Sequence, residues 1–335
     1  MKTRRHLSPA GILVILGVIL VVSILLSLMA GRYVISLSDV VRTLMGEEIS
    51  KQITQVVFLV RLPRIFASVL VGGALAVSGA AYQGMFKNPL VSPDLLGASA
   101  GASFGAVLGI VLSVGTVGVK SSAFCFGLLA VLITWIIGTR IGKGSNLTFL
   151  LVLGGILVSG LFQSLVTVMK YTADTDDTLP EITFWLMGSM NRATYSDVLG
   201  MLAPFGVCLV LMIAVSGKIN ILALGEDEAK SLGVNTRALQ IVIVVSATVL
   251  TSYSISITGT ISWVGLIVPH LVRMMMGPNF KYLIPGSMLL GGSYLLLMDD
   301  LCRSLLAVEF PLGIATSLVG IPFFIFLMAK RESSW

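Results

Sequence analysis

AGILVILGVILVVSILLSLMA (Ala10 to Ala30) holds no charged residue. A helix rises 1.5 Å per residue, so about 20 such residues cross the hydrocarbon core of a bilayer. The run is too long for the apolar stretch of a cleaved signal peptide, and we read it as a first membrane span. The rest of the chain repeats the pattern. Of 335 residues, 56% are hydrophobic and 11% charged. The mean hydropathy is +0.99. A soluble chain carries about 25% charged residues, so a water-soluble or disordered protein is excluded. Outward-apolar alternation is absent, which argues against an outer-membrane barrel. The 35 glycines suit packed membrane helices.

Ten apolar segments follow, at about 10–30, 64–83, 95–114, 121–139, 147–169, 198–215, 238–257, 260–276, 282–299 and 310–329. The expected fold is all-α: a polytopic membrane protein with about ten transmembrane helices in one domain, residues 1–335. An even count puts both termini on one side. On that side fall 13 of the 22 lysines and arginines, but only 5 of the 16 acidic residues, so both termini are expected in the cytoplasm. The basic residues are scattered through loops, which points to membrane orientation and away from nucleic acid. Small residues recur every fourth position at Ser68, Gly72, Ala76, Ala80 and Gly84, and at Gly97, Gly101, Gly105 and Gly109. Such stripes predict close helix packing. Cys125, Cys208 and Cys302 form no CxxC pair and read as apolar side chains, and no metal site is expected.

Three motifs invite a chemical reading. Gly138 to Gly144 (GTRIGKG) has three residues between its glycines where a phosphate-binding loop needs four, and no Ser or Thr follows Lys143. If ATP drives this protein, another chain binds it. Gly97-Ala98-Ser99-Ala100-Gly101 matches G-x-S-x-G but opens a membrane helix in place of a strand–turn–helix. An intramembrane serine protease using Ser99 and His270 is the resulting alternative. An ion-coupled carrier is another, although Asp197 and Asp299 lie only at span ends.

Longer stretches occur in a telling order: Arg61-Leu62-Pro63-Arg64; Gly79 to Gly84 (GAAYQG), then Asn88-Pro89-Leu90 and Pro93 to Gly97 (PDLLG); Leu222-Ala223-Leu224-Gly225 with Ala229, Leu232 and Gly233; Gly259 to Gly265, then Leu266 to His270 (LIVPH) and Arg273; Asp300, Arg303 and Pro311-Leu312-Gly313. Over nearly its full length the chain resembles the permease subunits of bacterial ABC importers for iron-siderophores, haem and vitamin B12. The resemblance implies a non-enzymatic transport subunit of the inner membrane. It implies a pair of permease subunits, a homodimer first and a related permease as the alternative, two ATPase subunits that bind ATP and magnesium, and a substrate-binding protein. A ferric siderophore is the first expected cargo, with haem, cobalamin or molybdate as others.

Site residues are implied in the same way. Residues 216–237 would form the cytoplasmic coupling segment, with Gly225, Glu226, Asp227, Glu228, Ala229, Lys230, Leu232 and Gly233 meeting the ATPase. Acidic residues in the first turn of a short helix there match its dipole. Arg61, Arg64 and Arg303 would face outward and dock carboxylates of the binding protein. Asn88 and Leu90, with Ser145, Asn146, Leu147 and Thr148, would form the cytoplasmic gate. Gln83, Met187, Met190 and Asn191 would line the substrate pathway, methionine offering a soft surface.

Overall fold

The computed structural model describes residues 8–31, 33–47, 49–141, 147–305 and 308–332. Those residues form helices and connecting turns, with no strand among them. All ten apolar segments are helical: α1 (Pro9–Met29), α4 (Leu62–Met85), α5 (Ala98–Val111), α6 (Gly115–Ile141), α7 (Leu147–Thr172), α9 (Tyr195–Leu222), α11 (Thr236–Thr258), α12 (Val264–Met276), α13 (Phe280–Leu305) and α14 (Leu312–Glu332). Shorter helices lie between them: α2 (Leu37–Leu44), α3 (Lys51–Gln55), α8 (Thr178–Leu186) and α10 (Glu226–Ser231). Among the described residues, six helical stretches are long and apolar enough to cross a membrane, the second running from Lys51 to Met85, while the apolar parts of α5, α12 and α14 are shorter.

Several helices outrun their expected bounds, α6 starting at Gly115, α9 ending at Leu222 and α13 ending at Leu305, and the second and third segments change for identifiable local reasons. The second is longer, because a π-helical stretch, Val56–Arg61, joins α3 to α4 without a break. The third is shorter. Ser92 caps a 3₁₀ turn over Pro93–Leu96 by accepting from Asp94 N–H, and Gly97 then takes φ +89°, so α5 starts only at Ala98.

Helix α4 is the spine, buried from Val71 to Met85, and α11 packs beside it with most of its residues buried. The glycine stripes sit where helices meet. A Cβ on Gly72 would lie 2.2 Å from the Gly291 carbonyl oxygen of α13, and one on Gly105 would lie 2.3 Å from the Ser122 carbonyl oxygen of α6. Without hydrophobic drive between helices in lipid, such backbone-to-backbone approach supplies the packing energy. One apolar cluster joins α1, α4, α9, α11, α12 and α13; a second gathers α5 to α8.

Candidate functional site

One end of the bundle carries α10. Glu226, Asp227 and Glu228 occupy its first turn, and Gly233, at φ +78°, ends it. The Lys230 ammonium lies 3.1 Å from Glu226 and 3.7 Å from Asp227. Hydrogen bonding to Glu226 raises its pKa above the usual lysine value. The helix presents Asp227, Glu228, Lys230 and Leu232 outward, with Leu232 63% exposed. Gly225 is buried, and Glu226, half-buried, accepts from Thr236 Oγ1. Ala229 corrects the sequence reading. Its methyl is fully buried, so it seats α10 on the chain's own core and offers no contact to a partner.

Beside α10, Lys87 adopts φ +51° and Asn88 Oδ1 accepts from Leu90 N–H at 2.9 Å. This turn holds Asn88 and Leu90 exposed. Leu147 and Thr148 begin α7 and are half-buried; Ser145 and Asn146 lie outside the described residues. Gln83 is buried. Its Nε2 donates to the Val91 and Leu266 carbonyls, and its Oε1 accepts from Arg273 at 3.2 Å.

The other end carries the three arginines, and here too the structure corrects the expectation. Arg61, Arg64 and Arg303 are only 2%, 7% and 7% exposed. Arg64 donates twice to Asp299, at 2.7 and 2.8 Å, and once to Glu309, at 2.5 Å. Arg303 donates to Asp300 and to the Ser27 carbonyl, while Ser27 Oγ donates to Asp300 at 2.7 Å. Arg61 donates to the carbonyls of Leu28 and Tyr33. The guanidiniums turn inward because a bidentate carboxylate and unpaired carbonyls await them there. They tie α1, α4 and α13 together instead of facing outward.

Next to this cluster lies a cavity of about 690 Å³, lined among others by Lys120, Glu181, Trp185, Asn191, Arg192 and Glu309. Asn191 lines this cavity. Met190 does not, being fully buried in the core, and Met187 lines a smaller recess with Thr260 and Gly313. The Lys120–Asp197 pair, 2.7 Å apart, escaped the sequence reading because 77 residues separate its members. The Asp197 half was legible: Thr194 and Asp197 form a capping box at the start of α9. Ser99 Oγ donates to Asp94 across the turn that precedes α5, so the hydroxyl serves that turn.

Residues 19–330 match the FecCD transport family. The chain is 38% identical to the molybdate import system permease protein MolB of Haemophilus influenzae, over 95% of each chain. It is 36% identical to the hemin transport system permease protein HmuU of Yersinia pestis, covering 95% of this chain and 96% of that one. A cobalamin import system permease, BtuC of Halobacterium salinarum, is 37% identical over 83% of this chain. A solved inward-facing conformation of a metal-chelate type ABC transporter superposes with TM-score 0.86 at 38% identity, over 95% of this chain and 99% of that chain. With its multi-pass helical bundle and this match across almost its whole length, the chain belongs to the FecCD transport family of ABC permeases, as a transport subunit.

Proposed function

We propose that the chain is the membrane half of an ATP-driven importer that carries a metal species from a binding protein to the cytoplasm. The observation that carries this reading is the FecCD match over residues 19–330. Helix α10 supports it, being a short charged helix whose outward side chains suit a partner while Ala229 anchors it. In this reading the ten helices α1, α4 to α7, α9 and α11 to α14 each cross the inner membrane, the charge asymmetry placing both termini in the cytoplasm. The single domain, residues 1–335, pairs with a second copy, and residues 216–237 transmit ATPase motion. ATP and magnesium belong to two separate ATPase subunits. The turn at Asn88 and Leu90 gates the inner mouth with Ser145 to Thr148 at the start of α7. The arginine clamp holds rigid the face on which the binding protein lands. The cargo is a metal chelate, with ferric siderophore, haem and cobalamin as classes, or the metal oxyanion molybdate.

The test is uptake by proteoliposomes holding this chain and its ATPase, loaded with ATP and supplied with binding protein and each cargo. Transport that needs ATP hydrolysis by the separate subunit is the expected result. Uptake driven by an ion gradient without an ATPase would overturn it, as would ATP hydrolysis by this chain alone.

A further inference from the structure

At the α10 end lies a second, open cavity of about 600 Å³, between the ends of α4, α9, α12 and α13. Its polar lining consists of Gln83, Lys87, Asn88, Asn220, Arg273 and Asn279. That is two cations and four carboxamides, with no carboxylate among the lining residues.

The carboxamide oxygens are already engaged. Gln83 Oε1 accepts from Arg273, Asn88 Oδ1 from Leu90 N–H, and Asn220 Oδ1 from Phe280 N–H. Asn279 Oδ1 accepts both Asn220 Nδ2 and Lys281 N–H. The side-chain groups left over are donors: the Lys87 ammonium, the rest of the Arg273 guanidinium, and the amide nitrogens of Asn88 and Asn279. Among the described residues Lys87 makes no ion pair, and Arg273 hydrogen-bonds only to the neutral Gln83.

Helix dipoles act in both directions here. The 26-residue α13 begins at the cavity's edge, and its amino-terminal end adds positive potential. The carboxy-terminal ends of α4, α9 and α12 oppose it, but Tyr82, Gln83, Ile219, Ile221 and Arg273 carbonyls accept from Phe86, Asn88, Ala223, Leu224 and Gly277 N–H. Lys87, Asn88 and Asn279 are exposed, so the cavity opens outward. A pocket of donors with two uncompensated cations is complementary to a small multivalent anion, whose oxygens accept several charge-assisted hydrogen bonds at once.

We propose that this cavity binds a tetrahedral oxyanion of the phosphate class, either free in solution or as the headgroup of an anionic lipid. Basic pockets between helix ends on the cytoplasmic side suit both. The cavity shares Asn88 with the turn proposed as the inner gate, so the site lies beside the transport route and rests on that reading for its side of the membrane.

The test uses the full purified chain. Equilibrium dialysis with radiolabelled inorganic phosphate at low ionic strength reads the free ion. Native mass spectrometry after reconstitution in nanodiscs of phosphatidylglycerol and phosphatidylcholine reads the lipid. Removing one charge-assisted partner is expected to weaken binding about tenfold or more in Lys87→Gln, with recovery in Lys87→Arg. Lys87 is exposed, so this variant keeps the fold; Lys87→Gln/Arg273→Gln, checked by thermal unfolding, should abolish binding. Phosphate binding lost in Lys87→Gln supports a free-ion site. Phosphatidylglycerol retention lost in Lys87→Gln, without phosphate binding, supports a headgroup site. Binding of neither probe, or binding unchanged in both variants, overturns the proposal.

Discussion

Arg64 on α4 grips Asp299 on α13 through two parallel hydrogen bonds, Nε to Oδ2 at 2.7 Å and Nη2 to Oδ1 at 2.8 Å. Both side chains are nearly excluded from solvent, 8% and 2% exposed. Removing one partner strands the other charge. Arg64→Ala or Asp299→Asn is therefore expected to cost about 3–5 kcal/mol, seen as a lowered unfolding temperature of the purified chain. Arg64→Met/Asp299→Leu removes both buried charges and leaves only the more exposed Glu309 without Arg64, so it should recover part of the loss. A double variant no better than the singles would show that the pair is not an isolated clamp.

The same two helices touch backbone to backbone at Gly72 and Gly291. A Cβ on Gly72 would sit 2.2 Å from a carbonyl oxygen, which cannot rotate away. Gly72→Ala should therefore push α4 off α13 and destabilise the chain by about 1–3 kcal/mol. Gly206→Ala on α9 is the control. Nothing lies within 4 Å of its new methyl, and replacing a helical glycine should be neutral or slightly stabilising. Equal unfolding temperatures for the two variants would refute the close-packing account.

The helical plan was legible because long uncharged segments have few alternatives in lipid. The glycine stripes were legible because a spacing of four puts them on one helix face. What the sequence hid was direction. Arg61, Arg64 and Arg303 lie at segment edges, where cations commonly reach outward; the partners of Arg64, Asp299 and Glu309, lie more than 200 residues away, Asp300 beside Arg303 looks like local charge, and Arg61 meets only the Leu28 and Tyr33 carbonyls. Ala229 was hidden for a similar reason: on a six-residue helix, one-dimensional spacing does not say which face meets the core. The π stretch at Val56–Arg61 left no signal, since its residues suit an α-helix equally well.

Ser99 donates to Asp94, a half-buried carboxyl in the turn between α4 and α5. Burial pushes the Asp94 pKa up, while the donors Ser99 and Ser92 pull it down. Ser99→Ala removes one donor to the charged form, so the folded-state pKa should rise further above the unfolded value. Between those two values the folded chain holds a proton that the unfolded chain has released. Folding stability there falls as pH rises. The unfolding-temperature gap between Ser99→Ala and the parent should thus widen from pH 4 to pH 7, reaching about 1–3 kcal/mol at neutral pH. Uptake should persist, since the hydroxyl serves the turn. Complete loss of uptake with an unchanged unfolding temperature would return Ser99 to the catalytic reading.

Helix α10 separates seating from contact, and the two can be broken independently. Ala229 has no exposed surface, so Ala229→Arg would drive a charge into the core and lift the helix off its seat. Loss of assembly, with less chain recovered bound to the ATPase, is the expected result. Leu232 and Asp227 point away from the core, at 63% and 97% exposure. Leu232→Ser/Asp227→Ala should leave the unfolding temperature within about 0.5 kcal/mol of the parent, because exposed truncations rarely cost more. If these side chains transmit the ATPase stroke, the double variant should keep ATP hydrolysis while uptake per ATP falls several-fold. Glu226 and Lys230, already paired at 3.1 Å within α10, should matter less to coupling than to the helix itself. Unimpaired uptake per ATP in Leu232→Ser/Asp227→Ala, with the ATPase still bound, would show that the outward face of α10 does not carry the coupling.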